Sequence, residues 1–286
     1  FNLGLMYRYG LGIKKDFKQA FDWFKKSANG NIALDINGCK IDKPGIVEAQ
    51  FNLAQLYHHG FGTEIDLTNA MIWYEKAAKN NMKEAQFNLA KLILEGNSFD
   101  YNFEQAAKYY ELAANQGLVE AQFNLAQLYH YGPSFFQNYK KAYEWYKKSS
   151  NQGFKESTFN LGLMNQYGRG VTQNHISARK YYHQIESNNI PETYVNLGFI
   201  YHYGLGTPVD AKKAKHYFEK AAKFNFAEAD YHLGLIYRDG RGVIVDTKLA
   251  ESFFQKAEKN GVFEAKEILK RIALREPDDI NLYEVR

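Results

Sequence analysis

At 286 residues, with 45% hydrophobic and 24% charged side chains, the chain has the balance of a folded globular protein and excludes a disordered one. Its net charge of +4 is spread over scattered lysines, which argues against a nucleic-acid or membrane-surface role driven by charge alone. No apolar run approaches the ~18 residues needed to cross a bilayer, and a single cysteine, Cys39, excludes an internal disulfide.

The chain opens FNLGLMYRYG, without a starting Met and inside a repeated unit, so an upstream segment carrying any targeting information is expected beyond it. One cysteine and no N-x-S/T sequon favour a reducing, intracellular (cytoplasmic) compartment, with export left open by that start. The predicted elements then recur. EAQFNLAQLYH stands at Glu48–His58 and again at Glu120–His130, and EAQFNLAKL begins at Glu84. Ala49, Ala85, Ala121, Ser157, Thr193, Ala229 and Ala265 follow one another at a constant spacing of 36. An earlier copy fills 1–31, and the step of 50 from Trp23 to Trp73 leaves room for an insert, 32–45, read as an enlarged loop carrying Cys39.

Each unit reads as two helices. In the second, Ala49, Leu53, Leu56 and Tyr57 recur at helical spacing, giving helix A over Glu48–His59. A Leu column (Leu3, Leu53, Leu89, Leu125, Leu161, Leu197, Leu233) is followed each time by a small residue, Gly or Ala, which lets a neighbouring helix approach closely. Gly10, Gly60, Gly96, Gly132, Gly168, Gly204 and Gly240 close helix A, each expected in the left-handed conformation that stops a helix. Six residues on, Asp16, Asp66, Asn102, Asn138, Asn174, Asp210 and Asp246 supply the side-chain oxygen that caps helix B. Helix B carries an Ala (Ala70) and an aromatic pair (Trp73, Tyr74), completed by Ala77 and Ala78 into one apolar stripe. It stops at Asn31, Asn81, Gly117, Gly153, Asn189, Asn225 or Gly261, residue types that tolerate positive φ. A last copy, 265–275, lacks the small residue and the Gly and carries Lys266, Lys270, Arg271 and Arg275, so it reads as a polar capping helix before a tail, 276–286.

Two short helices cannot bury their own apolar face, and stacked copies can. The expected fold is all-α: a single α-solenoid over 1–275, with repeats at 1–31 and 48–264, built from stacked antiparallel helix pairs. The pattern A-x-F-N-L-G/A-x-x-Y-x-x-G-x-G, then D/N-x-x-x-A-x-x-W/Y-Y/F-x-K-A-A-x-x-G/N, resembles the Sel1-like repeat, a relative of the tetratricopeptide repeat. Seven copies carry it, over nearly the whole chain. The resemblance implies a right-handed superhelix that binds partners, usually proteins, on its inner surface. Departures are Ser98 and Ser134 at the second loop Gly, and Ile93 and Asn165 at the core Tyr. A disulfide in each repeat, known in some members, is not matched.

On a helical wheel, Glu48, Asn52, Gln55 and His59 fall outside the apolar arc of helix A. The matching columns are Asn52, Asn88, Asn124, Asn160 and Asn196; Gln55, Gln127 and Phe199; and His59, Tyr131, Tyr167 and Tyr203. These are the candidate partner-binding residues. An Asn row offers donors and acceptors to an extended peptide backbone, and Tyr adds a rigid apolar ring with a polar tip. The competing reading makes the Asn column a brace between repeats and places Leu163 and Leu235 in the core. The function expected is a non-catalytic scaffold or adaptor for protein or peptide partners, with no small-molecule substrate.

Catalytic mimics dissolve on inspection. Gly60-x-Gly62 and Gly168-x-Gly170 follow no strand and lack a third Gly, so they are turns and imply no nucleotide cofactor. Ser177-x-x-Lys180 lacks an accompanying Lys-Thr-Gly. His58, His130 and His202 share a column but lie two repeats apart, roughly 20 Å at a helix spacing of about 10 Å, too far for one metal; His58 and His59 are expected to diverge around their helix. The alternative function is single-stranded RNA binding, with Asn and Gln reading bases and Tyr stacking. The near-uniform Asn column lacks the variation a base code needs. Lys25, Lys26, Lys147 and Lys148 also sit at helix B ends, expected on the outer surface.

Overall fold

A computed structural model describes residues 1–34, 40–43, 45–95 and 103–274. The chain forms two compact units, Phe1–Gln152 and Gly153–Arg286. In the first, the helices are α1 (Asn2–Tyr9), α2 (Phe17–Ala28), α3 (Val47–His59), α4 (Leu67–Lys79), α5 (Lys83–Glu95), α6 (Phe103–Asn115), α7 (Val119–Tyr131) and α8 (Tyr139–Asn151). The second holds α9 (Lys155–Tyr167), α10 (His175–Gln184), α11 (Pro191–Tyr203), α12 (Ala211–Ala222), α13 (Ala227–Asp239), α14 (Thr247–Lys259) and α15 (Phe263–Leu274). Odd-numbered α1 to α13 are A helices and even-numbered ones are B helices. Within each unit consecutive helices pack as antiparallel pairs and the pairs stack, an α-solenoid arrangement.

The capping logic of the sequence operates locally. Asp16, Asp66, Asn138, Asn174, Asp210 and Asp246 each accept the backbone N–H three residues on, at 2.9–3.0 Å. Asn102, the remaining expected cap, lies outside the described residues, as do Gly96 and Ser98. Five of the helix A stops, Gly10, Gly60, Gly168, Gly204 and Gly240, take φ of 67–73°. Gly132 departs from that expectation with φ −63° and ψ 176°. The next residue is Pro133, whose ring pushes the residue before it toward extended backbone. At the helix B ends Asn81, Asn189 and Asn225 take φ of 55–63° as expected. Asn31 does not fill that role: Gly30 takes the left-handed turn, at φ 68°, and Asn31 opens a strand.

That strand corrects the reading of the insert as a loop. β1 (Asn31–Leu34) pairs antiparallel with β2 (Lys40–Lys43), in register Asn31 to Lys43 and Leu34 to Lys40. A chain that must leave a helix pair and return to it closes readily as a hairpin, and the insert supplies β-branched Ile32 and Ile41 for it. Cys39 lies outside the described residues.

Packing holds the repeats together. Leu53, Leu56 and Leu89 are buried at the first unit's core with Phe24 and Tyr74. Leu197, Ile200, Leu233 and Ile236 play the same part in the second unit, against Tyr182 and Phe218. Each buried Leu stabilises by about 1.5–3 kcal/mol, against about 1 kcal/mol for an N-cap, so stacking outweighs local propensity. The small column is where helix B leans in: a Cβ at Gly198 would meet the Phe218 ring at 2.6 Å, and one at Gly234 would meet Phe254 at 2.6 Å. The capping helix is α15, which buries Ala265 and half-buries Leu269; Arg275 lies outside the described residues.

Candidate partner-binding surface

Residues three, four and seven apart share a face of a helix, so Asn52, Gln55 and His59 lie along one side of α3. In the first unit Asn52 is buried, Asn88, Asn124, Gln55 and Gln127 are half-buried, and His59 and Tyr131 are exposed. In the second, Asn160 is buried, Asn196 and Phe199 are half-buried, and Tyr167 and Tyr203 are exposed.

The Asn amides turn back on their own helices. The Nδ2 groups of Asn52, Asn88, Asn160 and Asn196 donate to the carbonyls of Glu48, Glu84, Glu156 and Glu192, four residues earlier, at 2.7–2.8 Å. Two Asn residues also reach a neighbouring element. The Asn52 carbonyl accepts the Arg8 guanidinium from α1, and Asn124 hydrogen-bonds the Tyr110 hydroxyl of α6, whose pKa burial pushes up to about 12. At Asn88 and Asn196 the bond uses one of the hydrogen-bonding positions an Asn offers.

The aromatic column faces outward. Tyr131, Tyr167 and Tyr203 are 56%, 58% and 52% exposed, each at the last turn of an A helix. Tyr131 stacks on His130 at 4.0 Å, Arg169 lies over Tyr167 at 5.6 Å, and Tyr203 stacks on Phe199 at 6.2 Å. Phe199 is anchored beneath by Phe218 and His232, edge to face at 5.5 and 4.7 Å. Leu163 and Leu235 are half-buried and packed against the core. The His58 and His59 rings do not diverge: they lie parallel, 4.7 Å apart, because a half-buried His58 and an exposed His59 both lean over the end of α3.

Helix B presents a different chemistry. Lys26, Lys76 and Lys148 lie over the rings of Trp23, Trp73 and Trp145, three residues earlier, at 4.8, 3.9 and 3.6 Å. These lysines cover indole faces, a use that their spacing shows and a simple charge count hides.

Sequence reasoning passed over a buried polar relay. Gln86 and Gln122 sit beside the small Ala that opens helix A and are 2% and 5% exposed. Each donates to the end of the preceding B helix, Gln86 to the Ala78 carbonyl at 3.2 Å and Gln122 to the Ala114 carbonyl at 3.0 Å. Each in turn accepts from the end of its own repeat's B helix, Gln86 from Gln116 and Gln122 from Gln152, both at 2.8 Å. The signal was a recurring Gln at one column of a helix otherwise buried on that side. A second network centres on Glu186, which binds Lys220 at 2.8 Å and His183 at 3.0 Å; these partners hold its carboxyl below the ordinary value although burial opposes them.

Among the described residues no group of three or more His, Cys, Asp or Glu is placed to hold a metal ion, and no helix is long and apolar enough to cross a membrane. The helix-pair geometry matches known proteins. A crystal structure of a protective antigen from uropathogenic Escherichia coli, displaying an SLR fold, superposes with a TM-score of 0.81 at 28% identity, over 97% of this chain and 56% of the antigen. This chain therefore spans little more than half the length of that protein. A Sel1 repeat protein from Oxalobacter formigenes superposes with a TM-score of 0.64 at 29% identity, over 95% of this chain and 74% of the other. No curated protein sequence matches. The Sel1 repeat model itself matches residues 1–32, 47–82, 83–118, 119–154, 155–187, 191–223 and 227–262, leaving little of the chain outside it. The chain belongs to the Sel1 repeat family.

Proposed function

We propose that this chain is a non-catalytic scaffold or adaptor that holds a protein or peptide partner against its helix A face. Sel1-repeat proteins generally act in protein–protein interaction. The observation that carries the assignment to this face is the tyrosine column: Tyr131, Tyr167 and Tyr203 stay more than half exposed on otherwise well-packed helices. A Tyr ring held on a rigid helix offers large contact area and a polar tip at low entropic cost, the properties of an interface anchor. The Asn column beside it contributes the amide positions left over from its helix bonds.

The test is affinity capture on immobilised chain, with and without RNase, beside a Tyr131→Ala, Tyr167→Ala, Tyr203→Ala variant. Proteins kept by the wild type after RNase, and reduced at least tenfold on a variant with unchanged helical circular dichroism, are the expected result. Equal capture by both would place the binding surface elsewhere. Capture lost on RNase treatment would favour single-stranded RNA.

A further inference from the structure

In the last repeat the two columns that carry the Gln relay hold a shorter pair. Asp230 and Asn260 occupy the columns of Gln122 and Gln152 (122 + 108 = 230, 152 + 108 = 260), each one methylene shorter. The matching helix B carbonyl is that of Ala222, eight residues before Asp230, as Ala114 is eight before Gln122. Where the relay is complete, a Gln amide donates to this carbonyl. An Asp carboxylate cannot, since it only accepts. Among the described residues its side chain makes no hydrogen bond and no ion pair, although Asp230 is only 5% exposed. The second repeat shows what an Asn does at the outer column: Asn80 folds back on the Lys76 carbonyl at 2.8 Å and leaves the buried Gln50 Oε1 without a partner.

Around Asp230 lies a cavity of about 710 Å³ between α12, α13 and α14, lined also by Ala222, Asn260, Lys223, Lys256, Lys259 and Glu219, whose carboxylate is paired with Lys215. Lys220, at the same mouth, is already bound to Glu186. The floor thus has a buried carboxylate without a donor and a helix-end carbonyl that accepts the Asn225 N–H and has a second lone pair to offer, and the rim has, among the described residues, three lysines free of ion pairs. Burial raises the Asp230 carboxyl above its ordinary pKa, with Lys256 opposing. A simple anion would meet the carboxylate, and a simple cation would meet the lysines. A ligand carrying both charges answers both.

We propose that this cavity binds a zwitterionic amino-acid head group: an ammonium on Asp230 and the Ala222 carbonyl, and a carboxylate toward Lys256 and Lys259. Its source is a free amino acid or the amino terminus of an acidic peptide. None of the lining residues is among the candidate partner-binding residues of helix A, so the proposal stands or falls apart from the partner-binding face. Isothermal titration of the full chain with L-glutamate, tri-glutamate with a free amino terminus, N-acetylated tri-glutamate and succinate tests it. The expected result is binding of L-glutamate, the free peptide or both, at least tenfold tighter than the acetylated peptide and succinate. Binding by L-glutamate assigns a free amino acid; binding by the peptide alone assigns a chain terminus. Asp230→Asn should weaken binding at least tenfold. Asp230→Gln with Asn260→Gln, which rebuilds the relay, should abolish it while raising the melting temperature, so loss of fold is not the cause. Equal binding of free and acetylated peptide, binding that survives the double variant, or no heat with any of the four compounds would overturn the proposal.

Discussion

At residue scale, the small column is the tightest constraint on the repeat. Gly198 has no room for a side chain, because Phe218 stands where its Cβ would be. Gly198→Ala brings two opposed effects. Helix propensity improves by about 0.8–1 kcal/mol, while overpacking a filled core costs about 1–3 kcal/mol. Overpacking should win, lowering stability by about 1 kcal/mol in urea melts followed by circular dichroism. An unchanged or higher midpoint would mean that Phe218 gives way. That a small residue belongs here was legible from the column alone. Why it is Gly in this copy and Ala54 in another was not, because the choice depends on how far each helix B ring leans in.

At the scale of elements, α11, α13 and the loop after α13 meet through a buried His202 and a half-buried His232. Arg241 donates to His202 Nε2 at 3.0 Å, so the His202 ring must be neutral there. Burial, with Arg241 reinforcing it, pulls the His202 pKa down to about 4. Burial also pulls His232, stacked on Phe218, down to about 3. Both folded values lie below the unfolded value of about 6.5, so the unfolded chain takes up more protons as pH falls. The stability these rings contribute is full above about pH 6.5 and is lost as pH drops toward about 4. Urea midpoints should fall between pH 7 and pH 4.5, and His202→Gln with His232→Asn should flatten that fall. An identical pH slope in the variant would remove the histidines as the cause. His232 stands in the Asn column, so its difference was visible in the sequence. Its contact with Phe199 and its neutrality came from α11 packing beside it.

At the scale of the whole chain, stability in a repeat array is a sum over units and the interfaces between neighbours. Within the second unit the interfaces are unequal. α13 buries Ala229, Asp230, Leu233, Gly234 and Ile236, whereas α15 buries only Ala265. Amide hydrogen exchange should therefore be at least tenfold faster across α15 than across α13. Equal protection would show α15 and α13 opening as one cooperative block.

The sequence by itself determined the period, the two helices of each repeat, their Asp and Asn caps, most of their Gly and Asn stops and the Leu and aromatic columns, buried from the second repeat on at Leu53, Leu89, Leu125, Leu161, Leu197 and Leu233. These are local or one-dimensional properties, and a repeat of 36 writes them seven times. Tertiary structure decided what depends on neighbours. Pro133 overrode the expected left-handed Gly132, and the insert closed as a hairpin. The Asn amides folded onto their own helices, and the Gln relay ran through two repeats and ended at Gln122 and Gln152. A column shows which residue recurs. Which hydrogen bond it makes depends on a second and third element arriving at the same point in space.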